Sequence, residues 1–238
     1  MPGAYPPRPP PNGPAAATAK GEERMRHDCG MPTIHLVRHG QVENPKGIIY
    51  GRLPGYHLSE LGRLQAESAA EHLAAADLGA VWVSPLERAQ ETAQAIALRH
   101  DLEVVTDERL TESANTLEGL SRSLLGMFRD PRQWWHFRNP LRPSWGESFS
   151  DIKARVLATI EEAVVAAGGR EVAVVSHQTP VLVARAALIH SRRPPLAGLV
   201  ACETGSVTTV VVSEKGAGST SYFRPQARLR TPEAGGAA

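Results

Sequence analysis

Ala80-Val81-Trp82-Val83-Ser84-Pro85-Leu86-Glu87 (residues 80–87) sets a short β-rich run directly against a helix start. Branched and aromatic side chains favour an extended backbone. Ser84 then offers an N-cap hydroxyl, Pro85 a pre-set φ for the first helical position, and Glu87 the carboxylate of a capping box. The helix so begun runs to about His100. Upstream, Thr33 to Val37 reads as a strand, and Ser59 to Ala75 as a helix with Ser59 as N-cap and Leu61, Leu64 and Leu73 as anchors. Downstream come a short strand at Leu102–Val105, a helix over Ser148–Ala167 stopped by Gly168-Gly169, and an apolar strand at Glu171–Val175. A helix from Pro180 to about His190 and a strand at Val207–Val212 complete the series. Strands alternating with helices predict an α/β protein, a three-layer α/β/α sandwich with a mostly parallel central sheet. Such sheets place their ligands at the carboxyl ends of the strands.

The rest of the composition narrows the class. In 238 residues, 26 basic and 25 acidic side chains leave a net charge of +1. No global field therefore draws the chain to nucleic acid or to an anionic membrane. No apolar run approaches the roughly 20 residues that span a bilayer. Two cysteines, Cys29 and Cys202, make no disulfide framework and no metal-ligand spacing, which points to a reducing compartment and a cytoplasmic protein. Residues 1–30, with seven prolines in the first fourteen positions, read as a disordered tail, as do residues 227–238. Residues 31–226 are left for the folded domain. The strand near 207–212 reads as an exposed edge able to pair across a homodimer.

Four side chains stand at the predicted strand ends. The first strand leads into Arg38-His39-Gly40, the second delivers Arg88 in the following helix, and the strand at 171–175 leads into Ser176-His177. Two Arg and two His reaching one rim independently have no packing rationale. They suit phosphoryl transfer. Guanidinium groups bind a phosphomonoester dianion through planar forks. A neutral imidazole is a nucleophile that need not first lose a proton. A second imidazole stabilises charge on the phosphoryl oxygens as the group moves. Gly40 allows the backbone close to the phosphate, and the helix begun at Ser84 turns its positive end toward it. The plainer alternative for Arg88 is a solvated helix residue pairing with Glu87 or Glu91.

Leu36-Val37-Arg38-His39-Gly40, Ser84-Pro85-Leu86-Glu87-Arg88-Ala89-Gln90-Glu91-Thr92-Ala93 and Val174-Val175-Ser176-His177 resemble, in order and spacing, the three signatures of the histidine phosphatase superfamily, branch 1, the phosphoglycerate-mutase-like group. The resemblance implies His39 as the residue that is phosphorylated, with Arg38, Arg88 and His177 completing the phosphate pocket. It implies an acid in a Leu-x-Glu segment as proton donor, here Glu112 in Leu110-Thr111-Glu112, with Glu118 in reserve. Asn44, one place before the position of the family's pocket Asn, Arg52 and Gln178 are the candidate substrate-binding residues, and neither metal nor other cofactor is implied. Metal-independent hydrolysis of a small phosphate ester is the expected activity. Mutase-type transfer and a non-catalytic phospho-ligand binder are the alternatives.

The chain departs from the family's pattern at several positions. Gln41 and Val42 stand where an acidic and a hydroxyl residue are common, Pro45 where the pocket Asn sits, and Gln178 where Gly often follows the second His. An inserted cap is expected at about residues 113–146, because Trp134, Trp135, Phe137 and Trp145 stand there among Arg129, Arg132, Arg138 and Arg142. Such a segment either grips the organic part of a substrate or simply fastens itself to the body. Single-stranded RNA is the third possibility, and no nucleic-acid partner is expected.

Overall fold

In the computed structural model the described residues are 32–120, 146–192, 194–196, 198–213 and 218–225. The chain separates into residues 1–30 and residues 31–238, and the elements of the described residues belong to the second unit. They run β1 (Thr33–Arg38), α1 (Glu60–Leu73), β2 (Leu78–Val83), α2 (Glu87–His100), β3 (Val104–Thr106), a single 3₁₀ turn (Glu108–Leu110), α3 (Phe149–Ala166), β4 (Glu171–Ser176), α4 (Gln178–Leu188), β5 (Val207–Val211) and β6 (Ser219–Phe223). The six strands form one sheet in the order β3-β2-β4-β1-β5-β6. β3, β2, β4 and β1 are parallel, while β5 pairs antiparallel with β1 on one side and with β6 on the other. Both tails, and most of the segment expected to form a cap, lie outside the described residues.

Alternation along the central strands builds the layers. Val172 and Val174 of β4, with Ile34 and Leu36 of β1, pack on α3 and α4 through Ile152, Val156, Ile160 and Leu182. Ala173 and Val175, with Val37 of β1, pack on α1 and α2 through Ala69, Leu73, Ala89 and Ile96. A strand covered on both faces must be apolar throughout, which is why β4 reads as an unbroken run. Each fully buried Val, Leu or Ile contributes about 1.5–3 kcal/mol.

Several sequence expectations are corrected. Leu64 is 42% exposed, so it is no anchor of α1; the buried face is Gly62, Ala66, Ala69, Ala70 and Leu73. Small side chains let α1 lie close to its neighbours, and proximity replaces bulk. Ser59 does cap α1, accepting the Gly62 N–H at 3.1 Å. α2 begins at Glu87 rather than beside Ser84, with Leu86 as an N-cap that makes no side-chain bond. α4 begins at Gln178, straight after the strand, so Pro180 occupies the first turn, where a missing N–H costs nothing. β5 is no edge. It lies between β1 and β6, and the edge is the mostly exposed β6, a polar strand that the sequence reading passed over.

Candidate active site

β1 and β4 are parallel neighbours, with Arg38 aligned on Ser176, and the His39 N–H donates to the Ser176 carbonyl at 3.0 Å. Both histidines therefore leave adjacent strand ends, with ring centroids 5.1 Å apart. His39 Nδ1 lies 2.7 Å from the Gly40 carbonyl oxygen. A carbonyl only accepts, so Nδ1 carries the proton and Nε2 keeps its lone pair. Burial, then the charges of Arg88 and Arg38, hold His39 well below its ordinary pKa of 6.5. β2 ends one strand over, and the Ser84 N–H donates to Val175 O at 3.1 Å. Its hydroxyl thereby comes 2.7 Å from His177 Nε2. Burial also pushes His177 well below 6.5, with His39, Arg88, Arg38 and Arg155 adding to the effect.

Arg88 is fully buried, one Nη held by the Gly51 carbonyl at 2.5 Å and the guanidinium 4.9 Å from the centre of the Tyr50 ring. Burial lowers its pKa. Arg38 donates through Nη1 to the Cys202 carbonyl at 2.6 Å. Four nitrogens at this place, Arg38 Nε, Arg88 Nε and Nη1, and His177 Nδ1, are buried without a hydrogen-bond partner. Each such buried polar group costs about 1–3 kcal/mol if it stays unsatisfied. Such groups on three residues close to His39 have the chemistry of a site for a polyanion. Glu112 lines a cavity of about 230 Å³ with Arg38, His39, Tyr50 and Gln178, while Arg88 and His177 lie behind its wall. Its Oε1 accepts the Ser113 N–H at 2.8 Å.

The branch 1 histidine phosphatase family matches over residues 34–223. The chain belongs to that superfamily. It is 50% identical over 179 residues to an uncharacterized protein of Mycobacterium tuberculosis, Rv0525, covering 75% of this chain and 89% of that one. It is 32% identical to phosphoserine phosphatase 1 of Hydrogenobacter thermophilus, over 67% of this chain and 77% of the other. Among solved structures, the mycobacterial glucosyl-3-phosphoglycerate phosphatase Rv2419c superposes with a TM-score of 0.61 at 30% identity, over 75% of this chain and 89% of that chain.

Not every residue singled out in the sequence of this histidine phosphatase superfamily member reaches the pocket. Asn44 closes its own loop, donating to Ile48 O at 2.9 Å and accepting Ile48 N–H at 3.2 Å. It does not line the cavity, because both ends of its amide are spent on the turn. Arg52 is turned aside, its Nε on the Glu112 carbonyl at 2.6 Å and one Nη on Glu147 at 3.0 Å. Glu118 accepts the Arg52 N–H and lines the neighbouring cleft with it. Of the two candidate carboxylates, only Glu112 faces His39's cavity. Packing alone also requires a glycine at position 40. A Cβ there would stand 2.3 Å from the Gly62 carbonyl, and one on Gly62 only 1.9 Å from Gln41 O, so the two glycines let β1's loop and α1 touch.

The positive end of α2 starts two residues later than expected, and the helix that opens on the site is α4, whose first residues Gln178 and Thr179 line the cavity. Ser84 and Tyr50 were missed. Ser84 fits a helix cap so well that its sequence carries no other signal, and Tyr50 lies in a loop with no periodicity. Among the described residues no group of three or more His, Cys, Asp or Glu side chains is placed to hold a metal ion. Among them, too, no helix is long and apolar enough to cross a membrane.

Proposed function

We propose that this histidine phosphatase hydrolyses small phosphomonoesters through a phosphohistidine at His39. The observation that carries the reading is the unprotonated Nε2 of His39, with four buried, unpartnered nitrogens on its neighbours Arg38, Arg88 and His177. Nε2 attacks phosphorus and the N–P bond forms as the bond to the alcohol oxygen breaks. Glu112 gives that oxygen its proton. The positive imidazole ring so formed keeps its Nδ1–H on the Gly40 carbonyl, which offsets the new charge. Water then attacks phosphorus, Glu112 takes its proton, the N–P bond breaks, and phosphate leaves with His39 neutral again. The guanidinium groups neutralise the equatorial oxygens throughout, so the route asks for no metal ion.

The relatives named for phosphoserine and glucosyl-3-phosphoglycerate support a small phosphorylated metabolite as substrate. Hydrolysis is favoured over mutase transfer by the short stretch between acid and second histidine, 177 − 112 = 65 positions. A mutase must shield its phosphoenzyme from water. The test is phosphate release from a panel of monoesters in chelator, with native protein and His39→Ala. Release by the native protein alone, with an acid-labile phosphoenzyme trapped on quenching, is the expected result. Equal release by both proteins removes His39 from the role. Stabilisation by phosphate without turnover of any ester identifies a binder instead.

A further inference from the structure

A second cavity, of about 210 Å³, shares Ser113, Asn115 and Thr179 with the phosphate pocket. The hydroxyls of Ser113 and Thr179 meet at 3.3 Å along that shared wall. Ser113 directly follows Glu112, so an alcohol whose oxygen takes its proton from Glu112 has its carbons close to this boundary. Beyond it the wall is apolar, built from Phe149, Ile152, Leu182 and Leu196. A cavity of about 150 Å³ with such a lining admits a benzene ring. Its one carboxylate, Glu147, is held by Arg155 at 2.7 Å and by Arg52 at 3.0 Å, which occupies both guanidinium groups. Among the described residues that line the cavity there is no Lys, Arg or His.

We infer that this cavity is the leaving-group subsite, and that the enzyme selects phosphomonoesters of alcohols bearing a compact apolar or aromatic group over esters bearing a second anion. The inference rests on the hydrolase reading for its placement of the leaving oxygen. Binding of the group itself needs no turnover, which allows the two to fail separately.

Non-hydrolysable phosphonates read the subsite directly. By calorimetry on the full chain, benzylphosphonate binds roughly tenfold more tightly than methylphosphonate, in the range that apolar pockets discriminate, and more tightly than phosphonoacetate. Leu196→Asp, a change at the partly exposed rim, collapses the benzyl-to-methyl ratio toward one. Val165→Asp, on the solvent face of α3 and 80% exposed, leaves the ratio as in the native protein. Equal affinity for benzyl and methyl compounds, tighter phosphonoacetate, or a ratio that survives Leu196→Asp overturns the inference. A benzyl preference in a protein that turns over no ester, benzyl phosphate included, would uphold the subsite and sink the hydrolase reading alone.

Discussion

Ser84 shows how one hydroxyl sets the chemistry of a neighbouring ring. The Leu86 N–H approaches Ser84 Oγ at 3.4 Å, and Ser84 Oγ lies 2.7 Å from His177 Nε2, which accepts from the hydroxyl in one ring tautomer and donates to it in the other. An accepting Nε2 puts the ring proton on Nδ1, the atom that is buried without a partner. In the proposed mechanism that Nδ1–H is a donor to the phosphoryl oxygens. Ser84→Ala frees the ring to take the other tautomer. Turnover number is expected to fall about tenfold to a hundredfold, the size of one hydrogen bond to a charged group, with a smaller change in KM. Unchanged steady-state kinetics for the alanine variant would refute this. The residue types of the site were legible in the sequence, but the tautomers were not. They depend on partners such as Gly40 O and Ser84 Oγ, which only folding brings into line.

At the scale of elements, the contact between β1's loop and α1 is the narrowest in the site. Gly62→Ala would place a Cβ 1.9 Å from the Gln41 carbonyl, a backbone atom that cannot step aside. We expect a loss of about 1–3 kcal/mol in unfolding free energy, together with reduced turnover, because Gly40 O holds the Nδ1–H of His39, the nucleophile of the proposed mechanism. Denaturant melts alongside kinetics check both, and an alanine variant of native stability would show that the loop moves freely. Strand and helix positions were legible because burial imposes period 2 or 3.6 on a local stretch. Helix starts were less so. Ser84-Pro85-Leu86-Glu87 has every feature of a capping box, yet Ser84 serves His177, and Glu87 Oε1 accepts the Gly55 N–H at 2.9 Å. That backbone bond lowers the Glu87 pKa. Tertiary partners outbid the local cap.

Across the whole molecule, buried histidines couple stability to pH. His39 and His177 are held well below 6.5, and His35 is lowered too, mainly by burial and against the pull of Glu171. The unfolded chain protonates these rings near 6.5, whereas the native state keeps them neutral to lower pH. Unfolding then takes up protons, so stability is full above about pH 6.5 and falls as pH drops below it, by at most about 1.4 kcal/mol per pH unit for each ring. The lowered carboxylates Glu87 and Asp107 act in a lower window, below their ordinary values of 4.5 and 3.8. Unfolding free energies measured between pH 7.5 and 5.5 check the sign, and His39→Ala should flatten the slope. A curve level over that range in the native protein would contradict it.

The layered α/β architecture, the parallel core strands and the arrival of two Arg and two His at one rim were determined by the sequence alone. Each is a consequence of local hydrophobic period and of short motifs at strand ends. The tertiary structure decided which polar atoms are free. Arg38 is anchored on Cys202, 164 positions away, and His177 on Ser84, 93 positions away. It also turned Asn44 and Arg52 away from the pocket, made β6 the sheet's edge, and set an apolar chamber beside Glu112. Hydrogen-bond satisfaction and cavity shape are sums over residues remote in the chain, and no local pattern encodes such a sum.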